Sequence, residues 1–225
     1  MREIELAPGW RVTRVREALT RQAKKPLIQF LRDRYRRLYF EPIFLLDKES
    51  RTRRGANSQE EWHFGFAITA LCCLLVETFQ CYRLGLPSSH RRELQNLSNK
   101  LQRIPLKFRV PETEWPHDGG EIFRCFFSTH RKFFPGIEGG EFYHNIRNGL
   151  LHQSQTKGKW RLKVTRPELW NKKSRTLDRE RLAKQLKNYF EAYLIELQQA
   201  NHGEQIWKNA RRKIWWLAKL SALPG

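Results

Sequence analysis

An all-α fold, a helical bundle preceded by a basic helical extension, is what the sequence predicts, and three observations predict it. Apolar residues recur at three-to-four spacing through most of the chain. Gly and Pro gather at the ends of those stretches. Only residues 159–165 alternate apolar and basic side chains in the manner of a strand, so one short β segment at most is expected there.

The first two helices are expected over Trp10–Lys25 and Pro26–Phe40, with Pro26 in a first turn, where its missing N–H costs nothing. Leu27, Phe30, Leu31, Tyr35 and Leu38 supply the apolar side of the second. Arg32, Arg34, Arg36 and Arg37 supply a solvated or phosphate-facing side. Pro42 is expected to stop this helix, and Asp47–Ala56, polar and without periodicity, to be a linker closing an extension of residues 1–56. A helix capped by Asn57 or Ser58 then runs apolar on nearly all sides to about Leu84, where Gly85 and Pro87 end it. It is expected to be the most buried. Glu77, a carboxylate inside it, is expected to face an Arg.

A polar helix over Ser88–Ile104 and a loop broken by Pro105, Pro111 and Pro116 lead to an aromatic helix, Glu121–Phe134. Its phenylalanines stand at helical spacing, which suits a core better than a stacking platform for single-stranded RNA. Beyond the alternating segment a long helix, Leu177–Asn201, is expected with Ser174 or Thr176 as its cap. The main domain thus spans residues 57–203. A basic Trp-rich helix, Glu204–Leu220 within the stretch 204–225, is expected to pack through its Trp face on the domain or on a second copy; lying on an anionic membrane is the other reading.

Composition bounds the function. Lys and Arg number 43 against 23 Asp and Glu, a net charge of +20 in 225 residues, so a polyanionic partner is the first reading and a merely basic surface the second. The four cysteines, Cys72, Cys73, Cys81 and Cys125, form no CxxC pair and read as small buried hydrophobes of a reducing, cytoplasmic compartment. MREIELAPGW lacks the apolar core of a signal peptide. The apolar run Phe64–Val76 falls short of the roughly 20 residues that cross a bilayer. There is no Gly-rich phosphate loop, no HExxH, no GxSxG and no paired acidic motif for Mg²⁺, so no metal and no cofactor is expected.

One stretch carries more chemistry than solubility requires: Glu138–Gln155, EGGEFYHNIRNGLLHQSQ. Phe142, Ile146, Gly149 and Leu150 make a core-facing stripe, while His144, Asn148 and His152 drift along one edge of the same cylinder. On a regular helix Arg147 lies about 140° round and about 7.5 Å along the axis from His152, so the two are expected to flank a cleft without touching. RNA cleavage without a metal needs a base for the 2′-hydroxyl proton, an acid for the leaving 5′-oxygen and positive charge on the phosphorane; His and Arg suit those tasks near neutral pH. Spacing alone carries little, because 27 Arg and 7 His in 225 positions give about one such pair by chance. What distinguishes this pair is Asn148 directly after the Arg and the small or apolar residues between them.

Arg147–His152, RNGLLH, resembles the motif of the HEPN superfamily, all-α domains whose ribonuclease members carry an Arg, a polar residue and, after four to six positions, a His. The resemblance extends loosely over residues 57–201, with the motif on a late helix followed by a longer one. It implies a homodimer with a composite site, metal-independent cleavage of single-stranded RNA or tRNA loops, and a role in phage defence, toxin–antitoxin pairs or CRISPR systems, with an antitoxin or defence partner. It implies Arg147, His152 and Asn148 as catalytic and His144 and Glu77 as accessory. Lys157, Lys159, Arg161, Arg124 and Arg131 are the candidate RNA contacts. Ser154 stands where members neutralised by tyrosine modification carry Tyr, so that mode of control is not implied. A non-catalytic HEPN-like RNA-binding module is the alternative.

Overall fold

Helices make up most of the architecture in the computed structural model, which describes residues 3–52, 64–89, 95 and 116–220. Among the described residues five short strands form a two-stranded and a three-stranded sheet. The expected caps at Asn57 and Ser58, and nearly all of the helix Ser88–Ile104 and of the proline loop, lie outside the described residues. Packing divides the chain into two compact units: Met1–Leu38, Thr78–Asp118 and Glu191–Gly225 form one, Tyr39–Glu77 and Gly119–Phe190 the other.

In the first unit the chain begins with an antiparallel hairpin, β1 (Glu5–Ala7) and β2 (Trp10–Arg11), turned by Gly9 at φ 76°. The expected helix from Trp10 therefore starts later, as α1 (Val12–Thr20), followed by α2 (Lys24–Tyr35). Trp10 is buried rather than helical, its ring edge-on to Phe30 and its indole N–H donating to Asp33 at 2.9 Å. Tyr35 packs edge-on against Phe79 and Tyr82, and its hydroxyl bonds that of Tyr82.

The last helix, α9 (Gln205–Leu220), turns Trp207, Ile214 and Trp216 into this core. Its cations are used internally as well: Lys213 donates to the Pro87 carbonyl and Arg211 to Gln22. Packing, one of the two readings of the Trp face, is seen at Trp207 and Trp216, both buried in this unit.

The second unit holds the motif. A π-helical turn, Arg36–Phe40, leads straight into α3 (Glu41–Thr52). This corrects two expectations. Pro42 does not stop the helix: the helical course runs on from the π turn through it into α3. Residues 47–52 of the expected linker are helical, held by Arg51 bonding Asp47 and Glu180.

Helix α4 (Gly65–Leu84) extends the apolar run seen in the sequence to 20 residues, long and apolar enough by composition to span a membrane, with 61% of that window buried. Gly85 ends it at φ 70°. Helix α5 (Gly119–Thr129) buries Phe123, Phe126 and Phe127 completely, so the aromatic cluster is core and no stacking platform.

The β structure exceeds the single segment expected. Strand β3 (Arg161–Lys163) pairs in parallel with β5 (Thr176–Asp178), which pairs antiparallel with β4 (Trp170–Asn171). Leu177, assigned by its sequence to the long helix, is a strand residue. The helix itself, α8 (Arg179–Gln199), starts after Asp178, whose carboxylate accepts from the Arg181 N–H at 2.9 Å, so the cap is Asp178 and not Ser174 or Thr176.

Candidate active site

The motif helix is built in three pieces. Glu138 opens α6 (Gly139–Phe142) by accepting the N–H groups of Gly140 and Glu141. Gly139 lets this start lie directly on α5: a Cβ there would come within 2.4 Å of the Phe123 carbonyl oxygen. A π-helical turn, Tyr143–Arg147, follows, with the Asn148 N–H reaching back to the Tyr143 carbonyl. Then comes α7 (Asn148–Gln153), ended by Ser154 in the left-handed region at φ 53°. The apolar stripe is as its spacing predicts: Phe142, Ile146, Gly149 and Leu150 are all buried.

Past Ser154 the chain folds back over its own helix. The Gln155 N–H bonds the Gly149 carbonyl and the Lys157 N–H bonds the Asn145 carbonyl at 2.8 Å. Gly149 is required by this return, since a Cβ would stand 2.4 Å from the Gln155 oxygen.

Arg147 is only 7% exposed. Its Nε–H donates to Glu77 Oε1 at 2.8 Å, an ion pair with both side chains buried. Glu77 thus meets the cation its position calls for. The guanidinium also lies over the Tyr143 ring, 5.4 Å from its centroid. Nη1 donates to Asn148 Oδ1 at 3.1 Å and lies 3.4 Å from His152 Nε2.

That contact corrects the geometry of an ideal helix. Arg147 and His152 meet, because the arginine side chain is long enough to run along the axis and Glu77 fixes its Nε, aiming the outer edge of the planar fork at Asn148 and His152. A guanidinium only donates, so in a hydrogen bond across this contact Nη1 is the donor and His152 Nε2 the acceptor. Of the five guanidinium N–H groups, the two on Nη2 have no hydrogen-bond partner among the described residues. His152 itself is exposed.

His144 is exposed and bonds neither Arg147 nor His152. A π-helical turn, Tyr143–Arg147, runs between His144 and Asn148 where a regular α-helix is expected.

The five candidate RNA contacts fall in two places. Arg124 and Arg131 line a recess of about 550 Å³ with Glu121 and Cys125. Lys157 and Lys159 lie in the return loop, and Arg161 on the edge strand β3. Sequence reasoning missed Tyr143 under the guanidinium, and it missed Lys163 and Arg166, which share a second recess with Arg161. Strict alternation through Arg161, Leu162 and Lys163 was the available signal for Lys163. Among the described residues no three His, Cys, Asp or Glu side chains cluster. No protein-family model, curated protein or solved structure matches the chain.

Proposed function

We propose that the chain is a HEPN-type endoribonuclease that cleaves single-stranded RNA or tRNA loops without a metal, acting as a cytoplasmic homodimer in phage defence, a toxin–antitoxin pair or a CRISPR-associated role. The observation that carries this reading is the buried Glu77–Arg147 pair presenting a guanidinium edge to an exposed imidazole. A structural ion pair has no need of the histidine.

Each group has a task. The free N–H pair on Nη2 takes a non-bridging phosphate oxygen in the fork geometry that guanidinium and phosphate share. His152 Nε2 exchanges its 3.4 Å contact with Arg147 Nη1 for the ribose 2′-hydroxyl and accepts that proton. The 2′-oxygen attacks phosphorus, the bond from phosphorus to the 5′-oxygen breaks, and that oxygen takes its proton from the protonated His152 of a second copy. The products are a 2′,3′-cyclic phosphate and a 5′-hydroxyl. Asn148 holds Nη1 and so positions the fork. Support for a second copy comes from exposed apolar side chains on the elements that carry the site: Phe66 and Leu74 on α4, and Leu151 beside His152.

The burial of Arg147 favours a second reading, a non-catalytic RNA-binding module in which the Glu77–Arg147 pair only fixes the helix. Mixing parent with His152→Ala protomers separates the two. A composite catalytic site that uses the histidine of each copy predicts cleavage falling with the square of the parent fraction, and a binding module predicts no cleavage at any ratio. RNA binding without cleavage by the parent protein would establish the binding module.

A further inference from the structure

Residues 157–178 carry eight Lys and Arg against two acids, so +6 of the chain's +20 falls in a tenth of its length. The fold arranges part of this charge. In the parallel pair β3–β5, Arg161 stands opposite Thr176 and Lys163 opposite Asp178. Two-residue periodicity puts Arg161 and Lys163 on one face, roughly 6.6 Å apart by two strand steps. Leu162 and Leu177 take the other face and are buried. The two cations thus form the floor of a recess of about 330 Å³, whose walls include Arg166, Glu168, Ser174 and Thr176.

The walls are fixed by backbone bonds. The Arg166 N–H donates to Asp178 Oδ2 at 2.7 Å, and the Arg166 carbonyl accepts from Arg181 Nε. Arg161 reaches the opposite wall, donating to the Ser174 carbonyl at 3.2 Å. Asp178 accepts from the N–H groups of Arg166 and Arg181 and so ties the segment that carries Arg166 to the start of α8. Glu168 accepts from Asn171 at 2.6 Å. Three cations against one lining acid, with the Ser174 and Thr176 hydroxyls beside them, describe an anion site, and its shape is set before any ligand arrives.

We propose that this recess is a phosphate-binding groove that grips the RNA backbone outside the cleaved bond, so that the protein prefers a chain of several nucleotides over the minimal substrate. The inference rests on the ribonuclease reading for the identity of the ligand. The groove contributes affinity and register through phosphate contacts, which carry no base information. Its effect therefore appears in KM and in salt dependence, not in the chemical step.

The test uses a fluorescein-labelled 20-nucleotide single-stranded RNA, bound by full-length protein carrying His152→Ala so that nothing is cleaved. Adding Lys163→Ala with Arg166→Ala is expected to weaken binding at least tenfold at 0.1 M salt. The salt slope should flatten by about 1.4, two phosphates at ~0.7 each. Arg166→Ala alone, an exposed side chain, guards against a folding defect and should shift the slope by about half as much. In the otherwise wild-type protein, the double substitution should raise KM for the 20-mer and leave kcat/KM for a dinucleotide unchanged. Unchanged affinity and slope overturn the groove. Weakened binding by the double variant, with no cleavage by the wild-type protein, upholds the groove and removes the ribonuclease reading instead.

Discussion

At the scale of single residues the site separates structural from chemical roles. Glu77 and Arg147 are a buried pair, and removing one partner strands the other's charge. Glu77→Ala is expected to cost roughly 3–5 kcal/mol of stability, measurable by urea denaturation. His152 is exposed and makes a single long contact. His152→Ala should stay within about 0.5 kcal/mol of the parent while losing about 10²-fold or more in cleavage rate. A His152→Ala protein that unfolds as readily as Glu77→Ala would recast the histidine as a structural group.

The cysteines give a second residue-scale check. Burial pushes the Cys72 thiol far above its ordinary range, and burial does the same to Cys73, reinforced by the charges of Cys72 and Glu77. Iodoacetamide on the native protein should therefore spare both and modify the half-buried Cys125 first. Mass spectrometry of tryptic peptides reads the outcome.

At the scale of elements, Gly149 is the hinge on which the motif's position depends. Any side chain there collides with the backbone of Gln155 and Lys157, so Gly149→Ala should destabilise by about 1–3 kcal/mol. It should also lower cleavage more than stability alone explains, because the collision pushes on the helix that carries His152. Activity measured well below the unfolding temperature tests this.

The same helix shows what the sequence makes legible. Its buried stripe of Phe142, Ile146 and Leu150 follows from spacing, as do the burial of α4 and the aromatic core of α5. The π turn does not follow: the apolar spacing that predicts the helix is the same with or without it. Strands β4 and β5, of two and three residues, are too short to show alternation, and Leu177 fits a strand face and a helix stripe equally well. Pro42 misleads because a π turn just before it carries the helical course past a residue that ordinarily ends one. The Arg147–Glu77 contact joins positions 70 residues apart. Composition marks Glu77 as needing a cation and leaves its partner open.

At the scale of the whole molecule, charge sets how the protein responds to its solution. Burial alone would raise the Glu180 carboxyl, but hydrogen bonds from Lys184 and Arg51 outweigh it and hold the group below its ordinary 4.5. A depressed carboxylate stabilises the fold above its unfolded value, and that contribution is lost as pH falls through the folded one. Stability should therefore drop on acidification below about pH 4.5, and Glu180→Gln should make the fall shallower in a series of thermal melts. With a net charge of +20, binding to any polyanion will weaken steeply with salt, so affinity for RNA by itself says little about the site.

Cleavage chemistry is the more direct measure. Purified protein incubated with single-stranded RNA in excess EDTA, with product ends analysed, should yield 2′,3′-cyclic phosphates and 5′-hydroxyls, and His152→Ala should yield almost none. No cleavage by the parent, or equal cleavage by His152→Ala, would contradict the account.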